Sequence, residues 1–137
     1  MATYENDTAG YYTLPLPHGA KAPELARQYL VEHAPWLEPD LLADALLIVS
    51  ELVTNAVRHG QPDIVLRLRN NPPRVGGAVE DTGPEMPMPA SAAPEAAKPS
   101  GRGLLIVDAL ADEWGVVPRE PPPGKAVWFE LAAHRGR

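Results

Sequence analysis

The chain has 137 residues, of which 45% are hydrophobic, with a formal net charge of −6 and no cysteine. This length suits a single compact domain over residues 1–137. The negative charge argues against a protein that binds nucleic acid by neutralising phosphates, and the lack of cysteine excludes disulfides, zinc–thiolate sites and a thiol nucleophile. The first residues have neither a basic region nor an apolar run, so we expect no signal peptide, no membrane contact and a cytoplasmic location.

The first part of the sequence predicts one strand and two helices. Residues 11–16 alternate weakly, and Pro15 is tolerated only at the edge of a sheet, which predicts a short edge strand. Residues 20–32 predict a helix. Its apolar contacts would come from Leu25, Leu30 and Val31. A second helix is predicted over 39–58, ending before Gly60, where a left-handed glycine commonly stops a helix.

The remaining sequence predicts mainly strands. Residues 63–69 alternate apolar and polar side chains, and with residues 74–80 they predict an antiparallel, hairpin-like pair. Residues 84–100 are rich in proline, alanine and serine and bury too little apolar surface for a fixed fold, so we expect a mobile lid. Three further elements follow, a helix over 104–111 and strands over 114–117 and 126–131. Together these elements predict an α/β fold, a two-layer α/β sandwich.

The second helix carries the most informative polar residues. Its apolar stripe is complete at Leu42, Leu46, Val49, Val53 and Ala56. Glu51 and Asn55 lie one turn apart on the same face, outside that stripe, with Arg58 and His59 on the next turn. An acid and an amide in this position favour a site that lines a cleft. The alternative is an ordinary solvated helix face.

A second candidate site follows the strand that ends near Glu80. Asp81 would reach into a cleft there, and Gly83 would let the backbone turn closely. A carboxylate in this position can accept a hydrogen bond from an exocyclic amine, such as that of adenine. The alternative is a common Asp-X-Gly turn.

Glycines precede the third predicted helix. They belong to the run Ser100, Gly101, Arg102, Gly103 and Leu104. Open backbone N–H groups at a helix N-terminus favour a phosphate, although a flexible hinge with ordinary capping explains the same residues. Lys125, which opens the last strand, is interpreted as a solvated hairpin charge rather than a phosphate ligand.

Taken in order, these motifs resemble the GHKL (Bergerat-fold) ATP-binding superfamily, over about residues 14–131. Within it they are similar to the small anti-sigma-factor serine kinases of Gram-positive bacteria. The four matching segments are 51–60, 81–83, 101–107 and 124–128. The resemblance implies a two-layer sandwich whose mixed, mostly antiparallel sheet carries helices on one face.

The resemblance also implies a role for each residue. Glu51 would be the general base, Asn55 would hold Mg²⁺ against the ATP phosphates, and Asp81 would read the adenine amine. The remaining ATP-binding residues would be Gly83, Gly101, Arg102, Gly103, Leu104 and His59, although helix-end packing explains His59 equally well. ATP and Mg²⁺ are therefore the expected cofactors.

The same branch implies protein partners. The substrate would be a serine on an anti-anti-sigma protein, and a sigma factor would be sequestered. Arg27 matches the position that the branch uses to grip its partners, and a solvated helix charge is the alternative. A homodimer is expected, with the edge strand 11–16 as its contact.

Two departures from the family pattern keep a second function open. Pro84 and Glu85 stand where many relatives have another glycine, and Ala126 stands where a threonine is common. They favour a partner-binding module that uses nucleotide without catalysis, or has lost it. Glu51 favours the kinase, because nucleotide binding alone needs no base. A purely structural adaptor would leave the ordered motifs unexplained.

Overall fold

In the computed structural model of the chain, residues 10–69, 71–83 and 102–132 are described. They form five strands and three helices, in the order β1 Tyr11–Leu16, α1 Ala22–His33, α2 Pro39–His59, β2 Ile64–Arg69, β3 Val75–Asp81, α3 Arg102–Leu110, β4 Glu113–Pro118 and β5 Lys125–Leu131. Each predicted element is present, with ends that differ by at most two residues. The predicted lid at 84–100, with Pro84 and Glu85, lies outside the described residues, as does Gly101.

The five strands form one sheet in the order β1-β2-β3-β5-β4, and every neighbouring pair is antiparallel. The hairpin-like pairing of β2 with β3 is confirmed. The sheet of the described residues is thus antiparallel throughout, where we expected a mixed, mostly antiparallel sheet. β1 lies at one edge, as its proline predicts, and β3 lies at the centre between β2 and β5.

Alternation along the strands gives the sheet two different faces. One row of cross-strand neighbours on the helix-covered face is Leu14, Leu66, Val79, Val127 and Val116. These residues belong to the hydrophobic core or pack against it. Ala78 and Ala126 are buried on the other face but do not belong to this core. The helices therefore cover one face, and the two-layer α/β sandwich is confirmed.

α2 is the central helix of the covering layer and packs against α1, α3 and β3. Its fully buried positions are Ala45, Ile48, Val49, Leu52, Val53 and Ala56. Leu42 and Leu46 are only partly buried, so the predicted stripe was rotated slightly from the true one. Glu51 and Asn55 are half-buried and stay outside it, as predicted.

The prediction for the core face of α1 was wrong in part. Its buried residues are Ala22, Ala26 and Leu30, at steps of four, whereas Leu25 and Val31 are 39% and 49% exposed. α1 packs against α2, β1 and β2, and its buried stripe starts with two small alanines, which leaves Leu25 and Val31 outside that stripe.

Ion pairs occupy the face of the sheet away from the helices. Glu80 is 2% exposed and accepts a hydrogen bond from Arg67 Nε at 2.8 Å, with Arg119 Nε at 3.7 Å. Glu130 pairs with Arg69 at 3.8 Å, and its Oε2 has no partner among the described residues. Burial raises the pKa of Glu130, an effect that Arg69 and other charges offset only in part.

Within the described part of the chain, no helix is both long enough and apolar enough to span a membrane.

Candidate nucleotide site

The candidate site lies where the end of α2 meets the end of β3. The backbone N–H of Gln61 donates to Asp81 Oδ1 at 3.4 Å, and the N–H of Thr82 donates back to the carbonyl of Gln61 at 3.2 Å. The Thr82 hydroxyl also donates to the carbonyl of Pro62. The segment after α2 and the segment after β3 are thus bound to each other, so the two predicted motifs are brought together.

Asp81 is the centre of this contact. It is 3% exposed, and its Oδ1 accepts hydrogen bonds from the Gly83 N–H at 2.7 Å and from Lys125 Nζ at 3.0 Å. No described group donates to Oδ2. One oxygen of the carboxylate is therefore fixed by the protein and the other remains an acceptor, which fits a ligand that presents an amine.

Three glycines make room for Asp81. A Cβ on Gly60 would lie 2.5 Å from Asp81 Cγ, and one on Gly83 would lie 3.0 Å from Asp81 Oδ1. Gly124 has φ +117°, which favours glycine, and a Cβ there would meet the Asp81 carbonyl oxygen. Asp81 therefore lies in a cradle of glycines, in which Gly60 and Gly83 face its carboxylate and Gly124 faces its backbone.

The reason predicted for Gly60 was wrong. Its φ of −95° and ψ of −165° are extended rather than left-handed, so the helix ends there without a left-handed cap. Glycine is required because Asp81 lies against its α-carbon. The sequence motif contained this glycine, but its role depends on a contact made 21 positions further along the chain.

The interpretation of Lys125 as a solvated charge was also wrong. Its side chain is 8% exposed and its ammonium pairs with Asp81, with which it stands in cross-strand register. The argument that Ala126 weakens nucleotide binding also loses its basis, because Ala126 is the neighbour of Glu80 on the opposite face of the sheet. A hydroxyl at position 126 would point away from Asp81, so its absence removes no contact from this site.

Glu51 and Asn55 lie on the same helix that delivers Gly60 to Asp81. Asn55 directly precedes Ala56, whose carbonyl accepts the N–H of Gly60 at 2.9 Å. His59 ends the helix and is exposed. The half-buried acid and amide therefore lie on the helix whose end contacts Asp81.

α3 packs against α2. Arg102 and Gly103 form its first residues. Leu104 is 1% exposed, so its side chain belongs to the core and only its backbone amide remains for a ligand. The first N–H groups of a helix lack intrahelical partners, which leaves them free to bind an anion.

Arg27 lies on the exposed surface of α1, and its Nη1 donates to the Ser50 hydroxyl at 3.1 Å. Ser50 directly precedes Glu51, so Arg27 is held beside the turn of α2 that carries the predicted base. Its role in binding a partner stays a prediction, to which this contact adds proximity.

The described residues fit a nucleotide whose metal is held mainly by phosphate. They contain no group of three or more histidine, cysteine or acidic side chains arranged to hold a metal ion. Mg²⁺ commonly takes one or two protein oxygens and completes its octahedron with phosphate oxygens and water. The Asn55 side-chain oxygen suits that arrangement, and the glycine cradle with its free Asp81 acceptor suits the base.

Comparison with known protein families agrees with this geometry. The family model of the histidine kinase-like ATPase domain matches residues 19–131. The chain therefore belongs to the histidine kinase-like ATPase domain family, which confirms the resemblance to the GHKL superfamily and implies that the chain binds ATP. No curated protein matches the chain.

Proposed function

We propose that the chain is a regulatory protein of the cytoplasm that binds Mg-ATP and phosphorylates a serine on an anti-anti-sigma protein, while sequestering a sigma factor. The observation that best supports it is the buried Asp81 acceptor in its glycine cradle, at the end of the helix that carries Glu51 and Asn55. Base recognition and phosphoryl-transfer groups then lie on two joined segments.

The proposed chemistry assigns one task to each polar residue. Asp81 accepts a hydrogen bond from the exocyclic amine of adenine. The Asn55 oxygen binds the Mg²⁺ that neutralises charge on the phosphates. Glu51 accepts the proton of the partner's serine hydroxyl as that oxygen bonds to the γ-phosphorus. The bond from the γ-phosphorus to the bridging oxygen breaks, and ADP leaves with the electron pair. Positioning and charge neutralisation supply most of the rate enhancement of such a step.

The alternative is a partner-binding module that holds nucleotide without catalysis. The position of Ala126 on the opposite face of the sheet weakens one argument for it. Pro84 and Glu85 lie outside the described residues. The argument that they replace a glycine of the family therefore stays a prediction. The two functions differ only in whether Glu51 has a task.

Calorimetric titration with ATP, with and without Mg²⁺, tests the site itself. We expect saturable binding that requires Mg²⁺, and an Asn55→Ala variant whose binding no longer depends on it. Asn71→Ala, in an exposed turn, is the matched control. Absence of binding at millimolar ATP would refute the nucleotide site.

Transfer of labelled γ-phosphate to anti-anti-sigma proteins separates the kinase from the module. Glu51→Ala should abolish transfer and largely keep ATP affinity, whereas Glu32→Ala on the exposed face of α1 should keep both. Normal transfer by Glu51→Ala would show that Glu51 is not the base. A wild-type chain that binds ATP but phosphorylates none of them would favour the module.

A further inference from the structure

Lys125 has an unusual environment for a lysine at the start of a hairpin strand. The structure holds it at 8% side-chain exposure, with its ammonium 3.0 Å from an Asp81 carboxylate that is itself 4% exposed. Burial of a charged pair costs desolvation energy on both sides, and hydrophobic residues of similar volume often replace such pairs without loss of stability. The pair therefore needs an explanation other than stability.

The geometry of the bonds supplies one. Lys125 Nζ and the Gly83 N–H both donate to Oδ1 of Asp81, at 3.0 and 2.7 Å, and the Gln61 N–H approaches the same oxygen at 3.4 Å. These donors prevent the carboxylate from turning without loss of a charged hydrogen bond. They also leave Oδ2 as an acceptor with no donor among the described residues.

We propose that Lys125 is a positioning residue for base selection. It holds Asp81 so that Oδ2 alone accepts a hydrogen bond from the exocyclic amine of an adenine base. This inference rests on the proposed nucleotide site. Lys125 does not touch the base in this arrangement. It acts through Asp81, because a carboxylate fixed by one oxygen presents its other oxygen in one direction, and a fixed acceptor discriminates more strongly than a mobile one.

The chemistry of the discrimination is simple. An amine at the base edge donates to Oδ2, whereas a base without that amine leaves the buried oxygen unpaired. Without the lysine, Asp81 keeps only backbone donors on Oδ1 and gains freedom to rotate. The phosphate and ribose contacts of a nucleotide would not change, so the lost affinity should come from the amine contact alone.

The test compares ATP with purine riboside 5′-triphosphate, which lacks only the exocyclic amine, by calorimetric titration of the full chain. Wild-type protein should bind ATP at least about tenfold more tightly than the amine-free nucleotide. In Lys125→Met, which removes the charge and keeps most of the side-chain length, the preference should fall to about threefold or less. Lys125→Arg should keep most of it, and Lys21→Met, at the exposed start of α1, should match wild type.

A variant that folds poorly does not remove the test. In an Asp81→Asn background no carboxylate remains at position 81. Adding Lys125→Met should then leave the ratio of the two affinities unchanged, because the lysine acts only through Asp81. A further change of that ratio in the double variant would overturn the inference.

The remaining outcomes separate this inference from the proposed function. If wild-type protein prefers ATP and Lys125→Met weakens both nucleotides equally, Lys125 only supports the fold and the inference alone fails. If wild-type protein binds neither nucleotide, the site itself is refuted and the role of Lys125 with it.

Discussion

Gly60→Ala tests directly whether the end of α2 leaves room for Asp81. The backbone at Gly60 suits any residue, since its φ is −95°, so the added methyl group is the whole perturbation. Its carbon would lie 2.5 Å from Asp81 Cγ and 2.7 Å from both Asp81 Oδ2 and the Ala56 carbonyl oxygen, whereas ordinary contacts begin at 3.4 Å. The helix carbonyl blocks retreat on one side, so the carboxylate must move by about 1 Å on the other.

A movement of that size has two measurable consequences. It disturbs the bonds from Asp81 to Lys125 and to the Gly83 N–H, which now measure 3.0 and 2.7 Å. Overpacking together with weakened charged hydrogen bonds should lower the free energy of unfolding by about 2–4 kcal/mol. Displacement of Oδ2 from the base should weaken ATP binding by about 10- to 100-fold, at 1.4 kcal/mol for each factor of ten.

Urea denaturation measures the first effect and calorimetric titration with ATP the second. Gly19→Ala is the matched control, because a Cβ there meets no atom within 4 Å. If Gly60→Ala behaves as Gly19→Ala in both assays, Asp81 is not confined by the end of α2. A loss of stability with unchanged ATP affinity would instead show that Asp81 does not read the base.

Two further predictions concern the face of the sheet away from the helices. Burial raises the pKa of Glu130 above its usual value, so the folded state loses stability as pH rises through the raised pKa. Glu130→Gln cannot ionise, so its stability relative to wild type should be greater at neutral pH than at acidic pH. Urea unfolding across that range checks it, and a gain that does not grow with pH would contradict it. Arg67→Met should cost about 2–4 kcal/mol in stability, because it removes the charged hydrogen bond of 2.8 Å from Arg67 Nε to the buried Glu80 carboxylate. Calorimetric unfolding measures that cost, and a matching loss of ATP affinity would contradict the separation of Glu80 from Asp81.

The elements of this fold could be predicted because each leaves a local period in the sequence. Strict alternation over β2 and apolar steps of three and four over α2 gave both boundaries within two residues. Strand order leaves no such local signal, since β3 finds β5 as its neighbour only after α3 and β4 have intervened. Leu25 and Val31 were misplaced for a related reason, because hydrophobic character alone does not reveal that the buried stripe of α1 includes two alanines.

The site was predictable in its components and not in its contacts. Glu51, Asn55 and Asp81 could be singled out because their residue types match a chemical task. Lys125 was misread because its burial depends on cross-strand pairing with a residue 44 positions away. Gly60 was assigned the wrong cause, since a helix-ending glycine and a glycine that admits a carboxylate look the same in a sequence.

The cradle around Asp81 also ties binding to folding. Its walls come from three stretches of chain, near residues 60, 83 and 124, which meet only when α2, β3 and β5 are all in place. Such distant contacts are costly in loop-closure entropy and tend to form late, so partly folded forms should lack the cradle. A nucleotide that binds only the complete fold at 100 times its dissociation constant would stabilise it by about 2.7 kcal/mol. Cellular ATP would then act as a folding cofactor for this chain. The rate at which proteases degrade the chain would depend on the supply of nucleotide.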